Sequence, residues 1–222
     1  DPGVEVIDMH YPLVHQSNQR PYHFLHGYVQ FLEQTLGLRI PVTKFAGDVF
    51  LNADEKSAPP LNGHSPPEQF WIIVAGGKYD FTAKWWNPAS YQRVVDHFQG
   101  RIAFVQCGEA GHWHLPLKGV QNLVGKTSLR EFIRLMHFAD GVVCPVTFAM
   151  HLAAAVETRP GRPMHRPCIV IAGGREPPQQ LLPGGLAPRD ERAHAGEDEQ
   201  GDADDDKRAG LERRGASMCE AR

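Results

Sequence analysis

The sequence predicts an α/β fold, a Rossmann-like parallel sheet domain, and three observations carry that reading. Short β-rich runs alternate with helical patterns between residues 70 and 172. The runs are continuously apolar, as strands covered on both faces must be, whereas a sheet with one wet face would alternate apolar and polar residues. Two of them lead into turns of the kind that meets ligands at the edge of an open parallel sheet: Ala75-Gly76-Gly77, and Val146-Thr147 at a helix start.

The elements follow in chain order. Val4-Glu5-Val6-Ile7-Asp8 reads as a strand already inside a fold, and with Asp1 rather than Met in first place the expectation is that sequence is missing upstream. Phe24, Tyr28, Phe31, Leu32 and Leu36 recur at helical spacing ahead of Gly37, which predicts a helix stopped by a glycine just past its end. Residues 54–67 carry Pro59, Pro60, Gly63, Pro66 and Pro67 without periodicity and read as a linker. Strands are then expected at 70–75, 102–106, 141–144 and 168–172, with a weaker one at 122–124, and helices at 89–98, 129–138 and 148–157. The second of these helices is the best specified. Ser128 caps it with Glu131 three residues on, and Leu129, Phe132, Ile133 and Met136 share one face.

Beyond Pro177 the character changes. From Pro188 to Arg222 there is no aromatic residue, and Leu211, Met218 and Cys219 are the only large apolar ones. Such a segment buries too little surface to offset its chain entropy and is expected to be disordered. The break after Gly173-Gly174-Arg175-Glu176-Pro177 suggests a shifted reading frame, and Asp204-Asp205-Asp206 reads as solvated tail in preference to a divalent-ion site.

Composition narrows the function classes. With 222 residues, 41% hydrophobic and 9% aromatic, the chain can build one core plus extras, and a net charge of -3 offers no basic surplus for nucleic acid or an anionic membrane. No run approaches the roughly 18 apolar residues of a membrane span and no signal segment is evident, so a cytoplasmic location is expected. Cys107, Cys144, Cys168 and Cys219 are widely spaced without a CxxC pair and read as buried free thiols. No metal and no cofactor is expected. His112-Trp113-His114 with Cys107, and His23 with His26, have ligand chemistry but lack the further anchors a metal site needs.

Two motifs point to a bound anion. Ala75-Gly76-Gly77-Lys78, followed by Thr82, Lys84 and Trp85, is either a plain tight turn with surface lysines or a place where backbone approaches phosphate. Neither GxGxxG nor GxxxxGK[ST] is present, which argues against a dinucleotide-binding oxidoreductase and a phosphate-loop NTPase; Gly125-Lys126-Thr127 is a strand-to-helix turn leading to the Ser128 cap. In Cys144-Pro145-Val146-Thr147-Phe148-Ala149-Met150-His151-Leu152-Ala153-Ala154-Ala155, unsatisfied N–H groups and the positive end of the helix dipole make an anion site, with Thr147 and His151 beside it. A histidine facing Ala and Leu also has an ordinary structural reading.

These segments resemble glycosyltransferase family 9, the heptosyltransferase family. The elements that carry the resemblance are Ala75-Gly76-Gly77, Lys84-Trp85-Trp86, Gln106-Cys107-Gly108-Glu109 and the Thr147 helix start with His151-Leu152-Ala153-Ala154-Ala155, covering about residues 70–175; Val146 and Phe148 stand where the family has the Asp and Gly of an Asp-Thr-Gly turn. Tyr11 to Asn18, on through Gly47-Asp48, also looks like the end of the family's N-terminal domain.

The resemblance implies a GT-B glycosyltransferase. Residues 1–60 would be a remnant of the N-terminal acceptor domain, 61–177 the nucleotide-sugar donor-binding domain and 178–222 a tail. It implies a nucleotide-diphosphate sugar donor, ADP-heptose-like, and a lipopolysaccharide or other glycan acceptor. Gly76, Gly77, Lys84, Gly108, Glu109, Thr147, Met150 and His151 would be donor-binding residues, with Lys84 neutralising phosphate. Inverting transfer of this kind needs a base, which the family places near the start of the N-terminal domain. No residue is nominated for it here, Asp8 and Asp48 included, so the expectation is donor binding without transfer. The alternative is a noncatalytic nucleotide- or partner-binding module.

Overall fold

The computed structural model describes residues 3, 5–9, 24–57, 63, 65–79 and 84–172. The expected tail, Asp204-Asp205-Asp206, Cys219, Thr82, His23, Tyr11 to Asn18 and part of the linker lie outside the described residues. Among these residues five strands form one parallel sheet: β1 (Trp71–Ile73), β3 (Phe104–Gln106), β5 (Gln121–Asn122), β6 (Gly141–Pro145) and β7 (Cys168–Ile171). Their order is β5-β3-β1-β6-β7. The chain winds outward from β1 to β5 and then crosses to β6 on the other side, which creates a switch point between β1 and β6. This is the doubly wound, Rossmann-like arrangement that the alternating runs predict.

Helices cover both faces because the side chains of each strand alternate between two cores. Ile72, Val74, Val105, Val142 and Cys144 pack with α4 (Leu129–Phe138) and α5 (Phe148–Ala155) on one side. Ile73, Phe104, Val143 and Ile171 pack with Tyr91 and Val95 of α3 (Pro88–His97) on the other. Cys107, Cys144 and Cys168 are free and buried. Local chemistry sets the helix ends. Pro88 occupies the first turn of α3, and Asn87 accepts the Ala89 N–H at 2.9 Å. Ser128 and Glu131 form the expected reciprocal capping box of α4. The α1 helix (Phe24–Leu36) ends at Gly37, whose φ of 64° is the left-handed conformation such a stop requires.

Three expectations are corrected. Residues 5–9 have no strand structure, and Val6 is exposed, so the apolar alternation there has no partner strand among the described residues. The stretch expected as linker begins as α2 (Ala53–Ser57), docked on the α/β unit. Asn52 and Glu55 cap it reciprocally, Glu55 also takes two bonds from Arg130 at 2.6 and 2.7 Å, and Lys56 pairs with Glu157. That Arg130 contact, before the backbone bond at Asn52, holds the Glu55 carboxyl down at about 2. Nearby, Val49 bridges to Val156 and Leu51 is buried in the core. Finally, Leu129 does not share the buried face of α4. It is 62% exposed, while Leu135 and His137 are buried instead.

Arg166 locks α4 and α5 together. Its guanidinium donates to the carbonyls of Ala139, Ala153, Val156 and Glu157, the C-terminal ends of both helices, where the dipoles favour a cation. Burial lowers its pKa to about 10, so it remains charged at neutral pH.

Candidate functional site

A pocket of about 600 Å³ opens at the C-terminal edge of the sheet, at the switch point. Val74 and Gly76 reach it from the end of β1, Gly108 and Glu109 from the end of β3, and Val146 to Ala149 from the end of β6 and the start of α5. Thr127, Ser128, Leu129 and Phe132 close it from the start of α4, and Lys78, Lys84 and Trp85 line it from the segment after Gly77. A strap crosses it: β2 (Gly76–Gly77) pairs antiparallel with β4 (Trp113–His114). The glycine pair read as a tight turn or phosphate approach is therefore an extended ribbon.

Close packing explains two of the glycines. At Gly76 φ is 133°, and a Cβ would overlap the Trp113 carbonyl oxygen across the ribbon. At Gly108 a Cβ would overlap the His114 imidazole, so this residue is glycine to let the ring lie on the backbone. Gly77 has no such restriction, since a Cβ there would stand 3.5 Å from Trp85 Nε1. Gly76→Ala is accordingly expected to cost about 2 kcal/mol or more, lowering the melting temperature by roughly 5 °C, while Gly77→Ala stays near the parent. Thermal unfolding of the two variants checks this; equal melting temperatures would contradict the ribbon geometry.

The electrostatics favour an anion on one side of the pocket. Lys84 Nζ lies 3.5 Å from the Val146 carbonyl, beside the start of α5, and Lys78 is exposed nearby. Thr147 is the N-cap residue of α5 but its side chain makes no cap bond; the Met150 N–H turns back to the Thr147 carbonyl, and Phe148 and Ala149 carry the N–H groups at the pocket. Glu109 is exposed, with His112 Nδ1 3.5 Å from its carboxylate. Burial pushes the His114 imidazole below its ordinary pKa, against a smaller pull from the Ala75 backbone and with His112 adding to the depression. The ring is neutral at pH 7.

At this cavity Trp85 Nε1 is buried without a hydrogen-bond partner among the described residues, while the His114 ring meets the Ala75 backbone and the Thr147 hydroxyl meets the Cys144 thiol. Buried polar groups are seldom left unpaired unless water, an ion or a ligand completes them. The lining also includes apolar surface: Leu129 and Phe148 are exposed at 62% and 51%, and Phe132 joins them.

Of the residues nominated from sequence, the fold brings Gly76, Gly77, Lys84, Gly108, Glu109 and Thr147 to this pocket. Met150 packs against the core, and His151 stands exposed on α5 outside the lining residues. Desolvation first, and the Lys84 ammonium second, lower the His151 pKa, which places it within electrostatic reach of that lysine. The apolar wall and the Thr127-Ser128 turn were not anticipated. Their only sequence signal is the exposed Leu129 at the head of a capped helix. His112 and His114 also reach the pocket, with ring centroids 6.4 Å apart, whereas burial raises the Cys107 thiol to about 12 and keeps it inert.

Fold and pocket together define a doubly wound α/β domain with a lysine-bearing pocket at the sheet's switch point. The family model of glycosyltransferase family 9 (heptosyltransferase) matches residues 9–160, more than half of the chain, and the chain belongs to that family. The match begins well before residue 70 and ends before β7, so it extends further toward the N-terminus than the motifs alone. Among solved structures, E. coli ADP-heptose LPS heptosyltransferase II is similar at 20% identity with a TM-score of 0.47, over 64% of this chain and 53% of that one. A glycosyl transferase family 9 structure from Veillonella parvula is similar at 17% identity with a TM-score of 0.44, over 68% and 49%. The chain thus spans about half the length of these structures. No curated protein matches it. No helix among the described residues is long and apolar enough to cross a membrane.

Proposed function

We propose that the pocket binds a nucleotide-diphosphate sugar, ADP-heptose-like, as the donor half of a GT-B glycosyltransferase of inverting mechanism whose acceptor is lipopolysaccharide or another glycan. The observation that carries this reading is the combination of Lys84 and the start of α5, free of a side-chain cap, with the partnerless Trp85 indole N–H around one cavity. A diphosphate matches the cation and the helix N–H groups, which stabilise charge that develops on the leaving group. The wall of Leu129, Phe132 and Phe148 matches a nucleobase or other flat apolar surface. With Val146 and Phe148 where the family's motif has Asp and Gly, that wall replaces a carboxylate and a bare backbone. Membership of the family supports glycosyl transfer as the reaction class.

Residues 61–177 are then the donor domain and 1–60 belong to the acceptor side, with α2 resting against the donor unit. We assign the 222-residue chain donor binding without transfer. Glu109 is the one carboxylate among the described pocket-lining residues, and it is exposed with His112 beside it. General-base assistance is worth on the order of 10²–10⁴-fold, and orientation of the attacking hydroxyl can add more. A thermal-shift screen with ADP, UDP, GDP and NAD is expected to raise the melting temperature with a nucleoside diphosphate, because a ligand that binds only the folded state stabilises it. Labelled ADP-heptose with a heptose-deficient acceptor is expected to give no transfer. Stabilisation by NAD alone would contradict the donor reading, and acceptor labelling would contradict the inactivity.

A further inference from the structure

The polar atoms of the pocket fall into two chemical kinds. Lys84 and the α5 start are charged or dipolar and suit phosphate. His114 and Trp85 are neutral, and they sit where the strap meets the aromatic stack. The Trp85 and Trp113 rings lie 4.4 Å apart with planes 16° from parallel, and Tyr79 meets Trp85 edge-on at 6.0 Å. The Gly108 backbone beneath its ring and the β2–β4 pairing hold His114 in place, so its imidazole is positioned before any ligand arrives.

We infer that His114 and Trp85 form a hydroxyl-reading subsite for the donor's sugar, an inference that rests on the donor reading above. A neutral imidazole offers one N–H and one lone pair, and an indole offers one N–H. With its N–H toward the Ala75 backbone, the imidazole keeps its lone pair, which a hydroxyl satisfies by donating and a phosphate oxygen, which only accepts, leaves unmet. Aromatic surface beside a few fixed neutral hydrogen-bonding atoms is complementary to a polyhydroxylated ring with its C–H faces. His114 thus discriminates between a nucleotide sugar and the bare nucleoside diphosphate, and the strap that looked like a candidate metal motif is a sugar clamp.

The test compares His114→Leu with His114→Gln by calorimetric titration of the full chain with ADP and with ADP-heptose. The two replacements have similar size, but only glutamine keeps a donor and an acceptor. The expected result is about a tenfold loss of ADP-heptose affinity in His114→Leu, with ADP affinity within about twofold of the parent and much of the loss restored in His114→Gln. Equal loss in both variants would assign His114 to packing and overturn the inference. Equal loss for ADP and ADP-heptose would place it against the nucleotide, and parent chain that binds ADP-heptose no more tightly than ADP would leave no sugar recognition to explain; each overturns the inference while the donor reading stands. Parent chain that binds no ADP would remove the donor reading and the inference together.

Discussion

Arg166→Leu is expected to lower the stability of the α/β unit by about 3 kcal/mol, which for a chain of this size moves the melting temperature on the order of 10 °C. The reason is satisfaction of backbone, not surface charge. Leucine would fill much of the space but leave the carbonyls of Ala139, Ala153 and Val156 without the donor that reaches them at 2.9 to 3.1 Å, while the Glu157 carbonyl keeps the His137 ring N–H. Each buried acceptor left unpaired costs roughly 1 kcal/mol or more. Because Arg166 ties the C-termini of α4 and α5, whose N-termini both face the pocket, the loss should loosen the site as well. Arg166→Lys keeps a charge but loses the planar fork, and should fall between the two. A melting temperature within about 3 °C of the parent for Arg166→Leu would show that water or a neighbouring group replaces the guanidinium.

Lys84→Ala is expected to weaken ADP binding about tenfold to a hundredfold while leaving adenosine binding unchanged. A charge-assisted contact is worth roughly 1.5–3 kcal/mol, and the ammonium acts on phosphate charge alone. The position supports this: Lys84 reaches across to the Val146 carbonyl at the head of α5, so its charge and the helix dipole converge on one spot. Titration calorimetry with both ligands separates this role from a structural one. Parallel loss of ADP and adenosine affinity, or a large drop in melting temperature, would mean that Lys84 supports the fold.

What the sequence made legible was set by how local each signal is. The α4 helix is specified twice over, by the Ser128–Glu131 box and by its apolar period, and its bounds coincide with the expected ones. The parallel sheet was legible because strands buried on both faces are written as unbroken apolar runs. The α2 helix carried the same kind of cap, Asn52 with Glu55, but it is five residues long and the prolines after it obscured the signal. The β2–β4 ribbon was illegible because it joins two residues of glycine to two residues far along the chain, with no turn chemistry between them to announce the pairing. The strand-end glycines, Lys84 and Thr147 could be nominated as site residues from motif order. The Leu129, Phe132 and Phe148 wall could not, since apolar residues at helix starts read as core until the fold shows which way they face. Met150 and His151 lie further along α5: Met150 packs against the core, and His151 stands within electrostatic reach of Lys84 without lining the cavity.

The most direct test of the donor reading is a crystal structure of the chain soaked with ADP. The diphosphate is expected between Lys84 Nζ and the Phe148 and Ala149 N–H groups of α5, with the base against Leu129, Phe132 and Phe148. Nucleotide bound elsewhere on the molecule, or an empty pocket at millimolar ADP, would contradict it.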